Sequence, residues 1–94
     1  MAEKLSDTEI QEQLDQLVGW NLRENMIVKV FQFSSFPAAI AFVTHVAFLA
    51  EAAAHHPDVD IRYNKVTLAL TTHDAGGLTQ KDFSLAAQAD DILG

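Results

Sequence analysis

The residues of this chain best equipped for chemistry are its histidines. Three of the four, His55, His56 and His73, stand beside residues that break elements: Pro57 follows the first two, and Gly76-Gly77 closely follows the third. Imidazole exchanges protons near neutral pH, so three imidazoles placed at element ends point to general acid and base catalysis. Glu51 precedes His55 by four residues. On a continuous helix that spacing puts both on one face, where the carboxylate would hold the imidazole and favour its protonated form. Each of these residues also has a plainer reading. A histidine at a helix C-terminus is a favourable partner for the helix dipole, and Asp82, at the third position after Thr79, suits helix capping.

Other chemistries find less support. With no cysteine, the chain offers no thiolate nucleophile, no disulfide and no thiolate metal site. Asp58 and Asp60 near the His pair raise the possibility of a metal. Yet adjacent helical residues diverge by about 100°, whereas histidines that share an ion on a helix are usually spaced by three or four. The expectation is therefore no metal. Gly76-Gly77 lacks the Lys-Ser/Thr of a phosphate loop, and no Gly-x-Ser-x-Gly elbow occurs. His45, with no companion, reads as a surface or interface residue.

These groups need elements to position them. Ser6-Asp7-Thr8-Glu9 is a capping box that opens a helix over Asp7 to Leu17, with Ile10, Leu14 and Leu17 as its buried stripe and Gly19 beyond its end. Trp20 to Arg23 and Met26 to Phe33 read as a hairpin turning at Glu24-Asn25. Ser34-Ser35 and Pro37 open a second helix, over Phe36 to His55, which Pro57 would stop. Val59, Ile61 and Tyr63, then Val66, Leu68 and Leu70, alternate with more polar residues as half-buried strands do, and Asn64 turns between them. Thr79-Gln80-Lys81-Asp82 caps a last helix, reaching about Leu93, with Phe83, Ala86, Ala87 and Leu93 facing inward. The order is αββαββα, an α+β domain with helices over one face of antiparallel sheet. Periodicity alone leaves open whether the two hairpins share one sheet.

On a helical wheel the second helix centres on Ile40, Val43, Val46, Ala47, Ala50 and Ala54, while Phe42 and Leu49 widen the stripe and Phe48 lies opposite. A helix apolar nearly all round is either a central core helix with an incidental exposed Phe or one whose second face meets another subunit.

Ninety-four residues make a single domain, 1–94, with a modest core that a second subunit would supplement. The composition, 49% apolar and 20% charged, is that of a chain that folds. A net charge of −7 opposes direct binding to nucleic acid or an anionic membrane. Met1 to Leu17 lacks a basic start followed by an apolar stretch, and Phe36 to Ala54, carrying Thr44, His45 and Glu51, falls short of a membrane span. A cytoplasmic protein is expected.

Taken together, Gly19-Trp20-Asn21, Glu51-x-x-x-His55-His56-Pro57, Tyr63-Asn64-Lys65-Val66, Leu70-Thr71-Thr72-His73 and Gly77-Leu78-Thr79-x-x-Asp82 resemble the pterin-4a-carbinolamine dehydratase family over almost the whole chain. The resemblance implies a four-stranded antiparallel sheet with three helices packed on one face, assembled as a homodimer or homotetramer. It implies cofactor-free dehydration of 4a-hydroxytetrahydropterin to quinonoid dihydropterin, the step that returns tetrahydrobiopterin to use. His55 and His73 would then be acids near the leaving hydroxyl, Glu51 would tune His55, and His56 would bind the pterin and serve as base, with permutations of these roles open. Pro57, Thr72, His73 and Asp82 complete the implied binding site, and of core or pocket rim for Trp20 the core is the preferred reading. Some animal members of the family also bind a homeodomain transcription factor, so a regulatory protein partner, with the histidines vestigial, is the alternative. The chain departs from the family pattern at Val59, where an aromatic is common, at Ala75, a Cys in some animal members, and at Lys81, where an Arg is common.

Overall fold

The computed structural model describes residues 3–94; of the segment expected to carry no secretory signal, Met1 and Ala2 lie outside the described residues. Helix α1 spans Asp7–Leu14. The Ser6 hydroxyl accepts the Glu9 backbone N–H at 3.2 Å, and the Glu9 carboxylate accepts the Ser6 N–H at 2.9 Å. The backbone N–H of Ser6 and then its hydroxyl hold the Glu9 carboxyl below the usual carboxylate range. The helix ends three residues short of Leu17, in a tighter turn where the Leu17 N–H bonds to the Leu14 carbonyl. Gly19, at φ 87°, then turns the chain into the sheet.

Strands β1 (Asn21–Arg23) and β2 (Met26–Gln32) form the first hairpin, and β3 (Asp58–Arg62) and β4 (Lys65–Leu70) the second. Glu24 and Tyr63 supply the left-handed residues at the two turns, at φ 56° and 52°. The hairpins do join: β2 pairs antiparallel with β4 from Ile27↔Leu70 to Gln32↔Lys65, giving one sheet in the order β1-β2-β4-β3. Asn64 fastens the seam, its side chain donating to the Phe33 carbonyl at 2.8 Å. One face of the sheet presents Ile27, Phe31, Val66, Leu68 and Leu70, all buried in the core with residues of all three helices. Inward positions on edge strand β3 are less covered: Val59 is exposed, Ile61 only half-buried, and Tyr63 sits exposed in the turn.

Helix α2 spans Phe36–Ala53, capped by the Ser35 hydroxyl with Pro37 in its first turn. Its buried residues are Ala39, Phe42, Val46 and Ala50. The burial stripe is thus rotated by about one position from the one centred on Ile40 and Ala47, both of which are exposed. Phe42 sets this rotation by stacking between Phe31 and Phe33, at centroid distances of 4.7 and 5.0 Å. By length and composition α2 is apolar enough to cross a membrane, contrary to the sequence expectation, but here its buried stripe lies in the core. The helix closes at Ala54, which adopts the left-handed conformation (φ 52°), so it stops before His55 and Pro57 is not the residue that ends it.

Helix α3 (Gln80–Ile92) packs beside α2. Phe83 and Ala86 face inward as expected, but Leu85 and Ala89 accompany them, while Ala87 and Leu93 are exposed. Trp20 belongs to the core and meets the Phe31 ring edge-on. Its indole N–H donates to Asp90 at 3.0 Å, and Lys29 pairs with the other carboxylate oxygen at 2.9 Å, which ties the first hairpin to α3.

Candidate active site

The left-handed turn at Ala54 creates the site. It redirects the chain so that His55, whose N–H still bonds to the Ala50 carbonyl at 3.0 Å, leaves the helix axis and turns inward. His55 is buried, and its Nε2 lies 2.5 Å from Oδ1 of Asp82. Asp82 is completely buried in the first turn of α3. A carboxylate sealed from water costs several kcal/mol unless donors surround it. Its Oδ2 accepts the Thr79 N–H at 2.9 Å and the Thr72 hydroxyl at 2.8 Å, so with His55 it has three donors. Asp82 caps α3, as its place after Thr79 leads one to expect, and it also contacts His55, a pairing that the sequence did not indicate.

The expected Glu51–His55 pair does not form. Glu51 Oε1 meets His56 Nε2 at 3.0 Å instead, because the turn at Ala54 breaks the helical spacing that would have stacked residues 51 and 55. Both side chains of that pair are exposed, so solvent screens it and it contributes little stability.

His73 begins a short 3₁₀ turn, η1 (His73–Ala75), rather than closing a strand, since β4 ends at Leu70. Reciprocal backbone bonds between Thr72 and Gly77, at 3.2 and 3.3 Å, pinch this loop at its base. They fix Thr72 over Asp82 and leave His73 exposed at the rim.

A cavity of about 370 Å³ opens where the end of α2, the end of β4 and the start of α3 meet. It brings together His55, His56, Pro57, Thr72 and His73. Asp82 lies beneath it, behind His55 and Thr72, and reaches the cavity through them. Glu51 is not part of its lining; it borders an adjoining groove with Val43, Ala47 and Val59 that shares His56 and Pro57. Lys81, Asp58, Asp74 and Thr71 also line the cavity. Each of these stands next in sequence to an expected site residue, Asp58 to Pro57, Thr71 to Thr72, Asp74 to His73 and Lys81 to Asp82. His45 is exposed on α2, away from this cavity. Among the described residues no three His, Cys, Asp or Glu side chains converge in a way that could hold a metal ion.

A size of a few hundred Å³ suits a small organic molecule. Imidazoles reach it from two segments, the close of α2 and the loop after β4, and the buried carboxylate fixes the orientation of one of them.

The family model described as pterin 4 alpha carbinolamine dehydratase matches residues 3–92. A relative from Chloroflexus aurantiacus, provisionally named a pterin-4-alpha-carbinolamine dehydratase, is 69% identical over 91 residues, covering 97% of this chain and 98% of its own. A similarly named protein of Roseiflexus sp. (strain RS-1) is 68% identical over 93 residues, covering 99% and 100%. The crystal structure of a transcriptional coactivator/pterin dehydratase from Brucella melitensis superposes with a TM-score of 0.94 at 33% identity, over 98% of this chain and 100% of the other. Sequence and fold agree over nearly the full length, and the chain belongs to the pterin 4 alpha carbinolamine dehydratase family, a family of hydro-lyases.

Proposed function

We propose that this chain dehydrates 4a-hydroxytetrahydropterin to quinonoid dihydropterin by histidine acid and base catalysis, without a cofactor. The observation that carries the reading is the convergence of His55, His56 and His73 on one cavity, with His55 held by the buried Asp82. The bond from carbon 4a to its hydroxyl breaks, and an imidazolium gives the departing oxygen a proton. The proton on nitrogen 5 passes to a neutral imidazole, and the electron pair it leaves forms the carbon 4a–nitrogen 5 double bond. Water leaves, the enzyme's total proton count is unchanged, and proton exchange with solvent returns each imidazole to its starting form. In this scheme His55 and His73 are the acids, while His56, less constrained at the rim, binds the pterin and takes the nitrogen 5 proton; the order of roles is part of the proposal. Pro57 and Thr72 form the wall, and Asp82 orients the site from beneath. Glu51 acts on His56.

The reaction would serve tetrahydrobiopterin recycling in the cytoplasm, with the chain assembled as a homodimer or homotetramer. The exposed apolar residues Phe36, Ile40 and Phe48 of α2 support assembly. They equally suit the second reading, a protein-binding transcriptional cofactor, which the name of the Brucella melitensis protein, a transcriptional coactivator/pterin dehydratase, also favours. A dehydration assay on synthetic 4a-hydroxytetrahydropterin, corrected for the spontaneous reaction, tests the enzyme reading. His56→Ala and His73→Ala are each expected to lose most of the excess rate. Full retention by both would refute catalysis by these residues, and loss with a chelator followed by recovery with zinc would refute the metal-free scheme.

A further inference from the structure

The buried polar residues beneath the cavity form a chain in which every proton can be placed. The Thr72 hydroxyl lies 2.8 Å from Asp82 Oδ2, and the Thr79 hydroxyl lies 2.9 Å from that of Thr72. Thr79 Oγ1 also accepts the Lys81 N–H at 3.2 Å. A hydroxyl has one proton to donate. Asp82 Oδ2 already receives the Thr79 N–H, which suits an ionised oxygen, so the Thr72 proton is committed to it. The bond between the two threonines must then run from Thr79 to Thr72. The polarity is Lys81 N–H to Thr79 O–H to Thr72 O–H to the carboxylate, and each acceptor is made a better donor by the bond it receives.

This order fixes the other end of the carboxylate. The donors on Oδ2 stabilise Asp82 as a carboxylate, whose Oδ1 is then an acceptor, so the 2.5 Å contact has His55 carrying its proton on Nε2. Nδ1 of His55 has no hydrogen-bond partner, yet among the described residues no buried side-chain nitrogen or oxygen lacks one. Nδ1 therefore reaches solvent, and the solvent-filled space that His55 borders is the cavity.

We propose that Thr79 is a positioning residue of the active site: through Thr72 and Asp82 it holds His55 as the Nε2–H tautomer, so that proton exchange with substrate takes place at Nδ1. The substrate and the reaction rest on the dehydratase reading above; the tautomer does not. Thr79 does not line the cavity, which separates its effect from substrate contact. The titratable groups that border the cavity with His55 are His56 after α2, Asp58 on β3, His73 and Asp74 on the loop, and Lys81 on α3, with Asp82 beneath.

The test is Thr79→Val, which keeps shape and removes the hydroxyl, beside Thr79→Ser, which restores it. Nitrogen-15 NMR of histidine-labelled protein without substrate reads the tautomer directly. Wild type and Thr79→Ser should show His55 protonated on Nε2 when neutral, whereas Thr79→Val should show a mixture of tautomers. With 4a-hydroxytetrahydropterin, Thr79→Val should lower kcat about tenfold with KM nearly unchanged, a milder loss than a wholly wrong tautomer causes, and Thr79→Ser should recover most of it. An unchanged His55 tautomer in folded Thr79→Val, or a wild-type His55 protonated on Nδ1, would overturn the proposal. If Thr79→Val does not fold, Thr72→Val breaks the chain one bond closer to Asp82 and spares the helix cap, and the same spectra decide. Wild-type protein with the Nε2–H tautomer but no turnover would instead count against the dehydratase reading.

Discussion

At the scale of single residues, the site depends on how a buried carboxylate is shared. Asp82 satisfies the start of α3, the Thr72 hydroxyl and His55 at once, so a change there acts on stability and chemistry together. Asp82→Asn places an amide that can donate where only acceptors fit. It is expected to cost about 2 to 3 kcal/mol of stability by denaturant unfolding, and to lower the corrected dehydration rate about 100-fold or more by disturbing the tautomer of His55. His55→Ala and His73→Ala are each expected to lower that rate by about 10² to 10⁴, whereas Glu51→Gln, at an exposed and screened pair, should change it less than about threefold. A Glu51→Gln effect larger than that of Asp82→Asn would show that the exposed carboxylate matters more than the buried one. The histidines were legible in the sequence because residue type and a neighbouring Pro or Gly-Gly mark them. Their partners were not: Glu51 stands four residues from His55 and Asp82 stands 27, and only the folded chain shows that the distant one holds the ring.

At the scale of elements, caps and turns decide where the groups lie. The two capping boxes were readable because their hydrogen bonds join residues two or three apart. The left-handed close at Ala54 was not, because alanine carries no signal for it. Ala54→Gly relieves a left-handed alanine and is expected to raise stability by about 0.5 to 1 kcal/mol, seen as a higher Tm, with activity retained. A drop in Tm would mean that the turn is held by contacts rather than tolerated by the backbone. At the start of α1, the Glu9 carboxyl lies below its ordinary value of 4.5 because Ser6 donates to it. Its stabilisation is fully present above that value and is lost as pH falls through the lower folded value. Wild type should therefore be more stable than Glu9→Gln at neutral pH, and the difference should shrink on acidification; a gap that widens in acid would contradict the capping assignment.

At the scale of the whole molecule, the chain closes one sheet face and leaves much of α2 uncovered. Its radius of gyration, 12.9 Å, is close to the roughly 12 Å expected of a compact chain of this length. The uncovered surface is the stronger argument for assembly, with Phe48 73% exposed and Phe36 and Ile40 exposed nearer the start of the helix. Phe48→Asp should leave the folded protomer intact and shift the proposed homo-oligomer to monomer, as measured by sedimentation equilibrium. An oligomer of unchanged mass would remove this face from the interface. What the sequence determined by itself was local: the order of elements, both capping boxes, both hairpins and the identity of the proton-exchanging side chains, all set by interactions within a few residues. The tertiary structure decided that β2 pairs with β4, that α2 turns Phe42 rather than Ala47 to the core, and that Asp82 rather than Glu51 holds His55. Those outcomes depend on packing between segments far apart in the chain, where shape and burial choose among partners that local spacing leaves equivalent.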